Sequence, residues 1–274
     1  MSVLFASSTC DLDLKTLKKV DVDVINLPTM LNDKKCLYNN DKFNFEEYYA
    51  KSDFCVDEAS YQKLLHKKFE EALKTGQDVI FLTPNAKYDV SYKLVNQEIK
   101  YYTPLYPEQK IEMIDCKNYG LGYGLIVYEA GILNMHGASI VEVSAFVNKI
   151  KHNMKTYIIP STTVNIKDQL TLVGTMIGMR PVIELNNGEL KVLDNVKGKK
   201  NLINYLYEKA KLNSNEVPLG IMCGKNADEL NTLKEQIIKF DSDRQVITST
   251  LNPLLLNKFG DRTLAVCFYK KSKS

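Results

Sequence analysis

The stretch Asp57 to Leu82, DEASYQKLLHKKFEEALKTGQDVIFL, contains the pattern on which the predicted fold depends. Its first part repeats apolar residues at the intervals of an amphipathic helix, and Gly76 is placed to end that helix. The apolar positions of this helix are Leu64, Leu65, Phe69, Ala72 and Leu73. The run Asp78 to Leu82 is short and almost wholly apolar, which is typical of a buried strand. The sequence therefore predicts a helix followed closely by a core strand.

The same alternation of strands and helices continues on both sides of this stretch. Further strands are predicted at residues 3–6, 22–27, 110–114 and 156–159, and helices at 11–20, 57–73, 91–101, through Ala130 and at 139–154. Strands and helices that alternate in this way form right-handed βαβ units and a mostly parallel sheet. The polar residues 32–41 are predicted to form a surface excursion.

The second half of the chain changes character. Asn187-Gly188 lies between two apolar runs, and this dipeptide favours the tight turn of an antiparallel hairpin. Helices near 199–211 and 226–239 alternate with strands at 217–222, 244–248 and 263–269. The fold class is therefore α/β with two domains: residues 1–154 with a mostly parallel sheet, and residues 155–274 as an α+β domain with a mixed or antiparallel sheet.

Composition and charge exclude several classes of protein. Among 274 residues, 45% are hydrophobic and the net charge is +3, so we expect a packed fold without a nucleic-acid-binding surface. The start of the chain does not resemble a signal peptide, and no apolar run could cross a bilayer, so we expect a cytoplasmic protein. The final KKSKS is expected to be a solvated tail. The six cysteines show no metal-finger spacing, so we expect neither zinc nor disulfides.

No sequence motif supports catalysis. The glycines of Gly120-Leu-Gly-Tyr-Gly124 lack the spacing of a dinucleotide-binding loop, and we interpret them as helix packing and turn geometry. The three histidines are not paired with a nucleophile or a metal ligand, and no serine lies in a G-x-S-x-G elbow. We therefore expect a protein that is not an enzyme and that needs no cofactor or metal.

Hydroxyl residues follow the first predicted strand, at Ser7-Ser8-Thr9. Ligands approach open α/β sheets at the carboxyl ends of the strands, so these side chains are candidates for ligand binding. Serine and threonine also cap helices well, and capping of the predicted helix at 11–20 is an equally good interpretation. Both roles are compatible.

The order of these landmarks resembles the DegV family, bacterial fatty-acid-binding proteins that present acyl chains to a fatty acid kinase. The opening strand with Ser7-Ser8-Thr9-Cys10-Asp11-Leu12 resembles the family's T-D-S-T-x-D-L start. Ile114-Asp115-Cys116-Lys117 and the following glycines resemble its I-D-S-K segment, and residues 174–181 with the Asn187-Gly188 turn resemble its G-x-L-L-x-I-K-P hairpin. Residues 253–268 resemble its closing segment.

The resemblance implies an apolar tunnel between the two domains, with hydroxyls and a histidine that hold the lipid carboxylate. Aligned on the family, its T-S-Q-P threonine falls on Asp57 or Val56, its L-S-G serine on Asp89 and its histidine on Lys258. Ser91 replaces a threonine, and the family's G-G-R-I is absent from residues 162–166. The predicted ligand-binding residues are Ser8, Thr9, Asp57, Asp89, Ser91, Tyr92 and Lys258, with apolar walls from a helix at 164–180.

The departures from the family motifs leave two functions open. Asp57 and Asp89 would repel an anionic head group, although Lys258 could offset one of them and both aspartates could also cap helices. The leading hypothesis is a carrier that binds a fatty acid or another long-chain lipid and presents it to a partner such as a fatty acid kinase. The alternative is a member that has lost fatty-acid binding and serves as an interaction module or binds a ligand with a non-anionic head. A hydrolase that uses Ser8 with Asp89 has weak support, because no base is placed to activate the serine.

Overall fold

The structure is a computed structural model that describes residues 2–31, 34–37, 54–87, 89–162, 164–166, 169–171, 178–214 and 216–270. It divides into two units, the first made of Met1–Cys116 and Ile126–Asn148 and the second of Lys117–Leu125 and Lys149–Ser274. The domain boundary after residue 154 stays a prediction.

The first unit contains a parallel sheet and a small antiparallel sheet. Its strands are β1 (Ser2–Ser7), β2 (Val22–Ile25), β3 (Pro28–Leu31), β4 (Lys34–Leu37), β5 (Phe54–Val56), β6 (Asp78–Thr83) and β7 (Ile111–Asp115). The parallel sheet has the order β2-β1-β6-β7, and the antiparallel sheet has the order β4-β3-β5. The predicted parallel sheet is confirmed. The β3–β5 sheet was not predicted, and it includes residues 34–37 of the expected surface excursion; the other residues of that excursion, 32–33 and 38–41, lie outside the described residues.

The α-helices that precede Met154 are α1 (Leu14–Lys19), α2 (Glu58–Lys74), α3 (Val90–Tyr102), α4 (Gly120–Met135) and α5 (Ile140–Ile150). The first three lie between successive strands of the parallel sheet, whereas α4 and α5 follow its last strand, β7. The Phe69 ring of α2 packs 5.8 Å from Phe5 of β1 and 6.3 Å from Phe81 of β6. The apolar strands β1 and β6 are thus covered by the predicted face of α2. Leu64 is a partial exception because it is 36% exposed, whereas Tyr61 is fully buried on the same helix.

The order of the parallel strands changes direction between β1 and β6. The chain passes from β1 outward to β2 and then returns to the other side of β1, where β6 and then β7 are added. At such a switch point the loops after the two strands diverge and leave a crevice at the carboxyl edge of the sheet. The loops after Ser7 and Thr83 lie at this point.

The second unit contains a mixed sheet covered by helices. Its strands are β8 (Met154–Ile159), β9 (Val164–Ile166), β10 (Gln169–Thr171), β11 (Met179–Asn186), β12 (Glu189–Lys197), β13 (Leu219–Cys223), β14 (Val246–Thr250) and β15 (Leu264–Tyr269), and its helices are α6 (Lys199–Ala210), α7 (Ala227–Phe240) and α8 (Pro253–Phe259). The main sheet has the order β12-β11-β8-β15-β13-β14, with β13 and β14 parallel and the other pairs antiparallel. Its core includes Leu206 of α6, Leu233 of α7 and Phe268 of β15. The mixed sheet of the prediction is confirmed.

Two turns of the second unit show why glycine is needed. Asn187 and Gly188 have φ angles of 52° and 83°, the left-handed values of the predicted hairpin turn between β11 and β12. A Cβ atom on Gly122 would overlap the Oδ1 atom of Asn118 and the Oγ1 atom of Thr156. Gly122, in the first turn of α4, therefore serves close packing, as predicted, and the same role for Gly120 and Gly124 stays a prediction.

Some predicted elements are wrong. The expected helix at 164–180 is absent, because β9 and β10 pair as antiparallel strands within it; residues 167–168 and 172–177 lie outside the described residues. β-branched residues at positions 164 and 166 favour a strand here.

The first helix starts at Leu14, not at residue 11, because Asp13 caps it through Thr16 N at 2.6 Å. No helix of the described residues is both long and apolar enough to cross a membrane.

Candidate functional site

Polar side chains collect at the carboxyl edge of the parallel sheet in the first unit. They follow β1 at Ser7, follow β6 at Asp89 and Ser91, and end β7 at Asp115, and Tyr61 of α2 joins them. This edge is the switch point between β1 and β6. The topology thus places these residues where α/β sheets bind ligands.

The hydroxyl residues after β1 are buried and occupied with local hydrogen bonds. Ser8 Oγ accepts a hydrogen bond from Leu27 N at 3.0 Å, and Thr9 Oγ1 donates to Ser7 Oγ at 3.1 Å. The Ser7 hydroxyl also accepts weakly from Thr9 N at 3.4 Å, within a short 3₁₀ turn. Capping of α1 by these hydroxyls is therefore wrong, because Asp13 has that role. Ser8 thus links the residue after β1 to Leu27, which lies between β2 and β3.

Asp89 stands at the N-terminus of α3. Its Oδ1 atom accepts a hydrogen bond from Ser91 N at 2.7 Å, so the predicted capping role is confirmed. Burial raises the pKa of Asp89 to about 6, against the lowering effect of Ser91, and the charge of Asp115 raises it further. Within the described part of the chain, the groups that shift the pKa of this carboxyl group include no cation.

Ser91 is fully buried, yet its hydroxyl has no hydrogen-bond partner within the described part of the chain. The hydroxyl is near enough to Asp89 to lower the pKa of that carboxyl group, but the geometry of a hydrogen bond is not met. A buried hydroxyl without a partner costs roughly 1 to 3 kcal/mol, so such groups are uncommon in folded proteins. A ligand atom at this position would satisfy it.

The Tyr61 hydroxyl is a second group of this kind. It is fully buried and has no hydrogen-bond partner among the described residues, although Ser7 is close enough to affect its pKa. Burial raises the pKa of Tyr61, and the charge of Asp89 raises it further. Tyr61 and Asp89 are therefore close in space although they lie on different helices. We call Ser7, Tyr61, Asp89 and Ser91 the polar cluster.

Asp57 has the geometry of a helix cap. Its Oδ1 atom accepts from Ser60 N at 3.0 Å, and its Oδ2 atom accepts from Ser60 Oγ at 2.6 Å. The predicted capping of α2 is thus confirmed. Its predicted role in ligand binding stays a prediction.

The remaining predicted site residues are less informative. Tyr92 is half-buried in the first turn of α3, beside Ser91. Lys258 lies in the second unit, in the last turn of α8, a helix that was not predicted and that Asn252 caps through Leu255 N at 3.1 Å. Its ammonium group lies 5.6 Å from the Tyr119 ring centre and 5.7 Å from that of Phe259, and burial lowers its pKa. Cation–π contacts therefore hold this lysine.

The cluster is suited to binding rather than to metal chemistry. Across the described residues, no group of three or more histidine, cysteine, aspartate or glutamate side chains is placed to hold a metal ion. The cluster offers buried hydroxyls that can donate a hydrogen bond and one carboxyl group that can accept one. Such a set fits the polar head of a small ligand.

Comparison with known proteins identifies the family. The family model described as an uncharacterised protein, DegV family, matches residues 3–271, so the chain belongs to the DegV family. A DegV domain-containing protein of Clostridium perfringens is 23% identical over 288 residues, which cover 99% of this chain and 98% of that protein. The resemblance seen in the sequence is confirmed.

Solved structures of the family share the fold. A DegV family protein from Eubacterium eligens loaded with heptadecanoic acid superposes with a TM-score of 0.80 at 13% identity, over 99% of this chain and 100% of that one. A fatty-acid-binding DegV family protein from Thermus thermophilus has a TM-score of 0.80 at 17% identity, over 98% and 99% of the two chains. The Fatty Acid Kinase (Fak) B3 protein of Streptococcus pneumoniae, loaded with linoleic acid, has a TM-score of 0.78 at 17% identity, over 99% and 100%.

Sequence reasoning missed Tyr61, and it considered Ser7 with Ser8 and Thr9 but left Ser7 out of the final set of ligand-binding residues. One signal for Tyr61 was available: it lies four residues before Leu65 and eight before Phe69, on the buried stripe of α2. A tyrosine at the start of such a stripe brings a hydroxyl toward the sheet edge. Its proximity to Asp89 depends on the packing of α2 and could not be read from the sequence.

Proposed function

We propose that this chain binds a long-chain fatty acid whose carboxyl group lies in the polar cluster. The observation that carries this proposal is the pair of fully buried hydroxyls, on Tyr61 and Ser91, that have no partner in the described part of the chain. Both flank Asp89 at the switch point of the parallel sheet. Ser91 also occupies the position where the family has a threonine of its head-group motif.

The solved relatives support the ligand class. Their descriptions name heptadecanoic acid and linoleic acid as bound molecules. Burial of an acyl chain contributes about 0.8 kcal/mol for each CH₂ group, or on the order of 10 kcal/mol for a long chain before ordering costs. Acyl burial can therefore support binding even though Asp89 replaces the family's serine at the head group.

The proposal extends to a carrier role without catalysis. A relative of similar fold is described as a Fatty Acid Kinase B3 protein, so we propose that this chain presents its ligand to a fatty acid kinase. The hydrolase hypothesis gains no support, because Ser8 Oγ is buried and accepts a hydrogen bond from Leu27 N.

A long-chain ligand with a neutral polar head is the second candidate. It is favoured by Asp89, which supplies a carboxyl group where the family has a serine. A hydroxyl or amide head would donate a hydrogen bond to that group without charge repulsion.

Native mass spectrometry of the protein purified from cells, followed by lipid extraction, tests binding directly. We expect an acyl species at one per chain, and Ser91→Ala and Tyr61→Phe are each expected to weaken fatty-acid binding roughly ten- to hundredfold, because a hydrogen bond to a charged group contributes about 1.5 to 3 kcal/mol. Tyr102→Phe is the matched control, since Tyr102 is also buried but donates to His66 O at 3.0 Å, away from the cluster. Recovery of no acyl species, together with no binding of added fatty acid, would contradict the proposal.

A further inference from the structure

Asp89 creates an electrostatic problem for a fatty acid in the polar cluster. A long-chain carboxylate is ionised at neutral pH, and Asp89 would place a second negative charge beside it. Within the described residues, the charged and titratable groups whose electrostatic influence couples to Asp89 are Asp115 at the end of β7 and Tyr61 on α2. Neither carries a positive charge, and two ionised carboxylates in contact inside a buried site repel strongly.

Two carboxyl groups in such a site can bind a single proton between them. Aspartate pairs in proteins behave in this way, because the shared proton turns repulsion into a strong hydrogen bond. The geometry here allows it, since Asp89 uses Oδ1 to cap α3 through Ser91 N, the Ser91 hydroxyl is near enough to affect the same carboxyl group, and the buried Tyr61 hydroxyl is near enough to feel its charge. These hydroxyls would donate to the ligand oxygen that does not hold the proton.

We propose, on the basis of the function proposed above, that the polar cluster binds a fatty acid together with one proton, which the ligand carboxyl group and Asp89 share. The proton comes from solvent: an O–H bond of solvent is broken and an O–H bond to a carboxyl oxygen is formed, so that the Asp89 carboxylate, the ligand carboxylate and one proton make up the complex, and no bond between heavier atoms changes. Asp89 is therefore a specificity-determining residue that selects head groups able to share or donate a hydrogen to its carboxyl group.

The raised pKa of Asp89 in the unbound protein favours binding of this proton. Burial raises the pKa of Asp89 to about 6, so part of the protein already holds the proton near pH 6, whereas at pH 8 the proton must be taken up on binding. Fatty-acid affinity is thus expected to fall as pH rises above about 7. A long-chain alcohol, which has a neutral donor head, needs no proton and is expected to bind with little pH dependence.

Isothermal titration calorimetry with palmitate below its micelle concentration measures the proton directly. Titrations at pH 8 in buffers of different ionisation enthalpy are expected to show uptake of about one proton per palmitate, and Kd is expected to rise about tenfold per pH unit between pH 7 and pH 9. Asp89→Asn keeps a capping side chain and a hydrogen-bond donor, and we expect it to bind palmitate with no proton uptake and a flat pH profile. Asp78→Asn, a change to a carboxylate at the opposite end of β6 that accepts a hydrogen bond from Lys110 N, is the matched control and is expected to keep the uptake.

The possible outcomes separate the two proposals. Palmitate binding by the unaltered protein at pH 8 without proton uptake would overturn the shared proton and leave fatty-acid binding intact. Absence of palmitate binding at every pH from 5.5 to 8 would overturn fatty-acid binding itself. If Asp89→Asn does not fold, proton uptake by the unaltered protein still decides the question.

Discussion

At the scale of the residue, the distinguishing feature of this DegV chain is a carboxyl group among hydroxyls. Asp89 caps α3 through a carboxyl oxygen, where a serine would use a neutral hydroxyl. Asp89 can also titrate, and it holds its proton to a higher pH than an exposed aspartate does. The main cause of the raised pKa is burial. Among the described residues, the hydroxyls of Ser91 and Tyr61 are also buried and have no hydrogen-bond partner.

The raised pKa of Asp89 makes a prediction for stability. Because the folded protein holds this proton up to about pH 6 and the unfolded chain releases it near pH 3.8, the contribution of Asp89 to stability falls as pH rises between these values. Above pH 6 Asp89 is ionised in both the folded and the unfolded chain, and the free energy of unfolding is lowered by the full cost of burying its charge. Asp89→Asn is therefore expected to raise the free energy of unfolding at pH 7 by about 1 to 3 kcal/mol.

Urea denaturation of the ligand-free protein at pH 4, 5, 6 and 7 measures this effect. The increase in the free energy of unfolding caused by Asp89→Asn should grow from near zero at pH 4 to its full size at pH 7. A gain that does not vary with pH would show that the aspartate is not the titrating group.

At the scale of the element, three described helices of the first unit, α1, α2 and α3, begin with an aspartate cap. Asp57 satisfies the backbone at the start of α2, and Tyr61, one turn later, begins its buried stripe. The position of the Tyr61 hydroxyl therefore depends on where α2 begins. By capping α2, Asp57 therefore helps to position the Tyr61 hydroxyl in the polar cluster.

Asp57→Ala is expected to lower the free energy of unfolding by about 0.5 to 2 kcal/mol, the usual cost of losing an N-cap. Asp57→Asn is the matched control, because asparagine caps helices almost as well, and it should keep most of the stability. Chemical denaturation followed by circular dichroism compares the two. Equal losses for both variants would mean that the negative charge of Asp57, rather than its cap hydrogen bond, is what α2 needs.

At the scale of the whole molecule, ligand binding and stability are linked. Any molecule that binds only the folded chain stabilises it, by about 2.7 kcal/mol when its concentration is a hundred times Kd. Acyl burial supplies most of the proposed affinity, so the stabilisation should depend on chain length. Stabilisation by the ligand is therefore a property of the whole folded chain and not of any single contact.

Thermal denaturation at pH 6.5 is expected to show a Tm several degrees higher with palmitate than without it. Octanoate is the matched control: it has the same head group but eight fewer CH₂ groups, and at the same concentration it should leave Tm nearly unchanged. Equal shifts for both acids would show that the head group alone accounts for binding.

Local sequence patterns predicted much of the architecture. The alternation of strands and helices predicted the parallel sheet, Asn187-Gly188 predicted the β11–β12 hairpin, and aspartates 57 and 89 fell at helix starts, as their side-chain chemistry favours. These features depend on neighbours a few residues apart. The predicted helix at 164–180 failed where two short strands pair with each other, because strand pairing is not a property of either strand alone.

The tertiary structure decided how the candidate site is composed. The sequence by itself determined the family landmarks, the sheet class and two of the members of the polar cluster, Asp89 and Ser91. Only the fold places Tyr61 and Ser7 beside them, because α2 and β1 meet the loop after β6 through a strand order that no local pattern specifies. Burial at that meeting point raises the pKa of Asp89 and leaves two hydroxyls unsatisfied, and burial depends on contacts between residues far apart in the sequence.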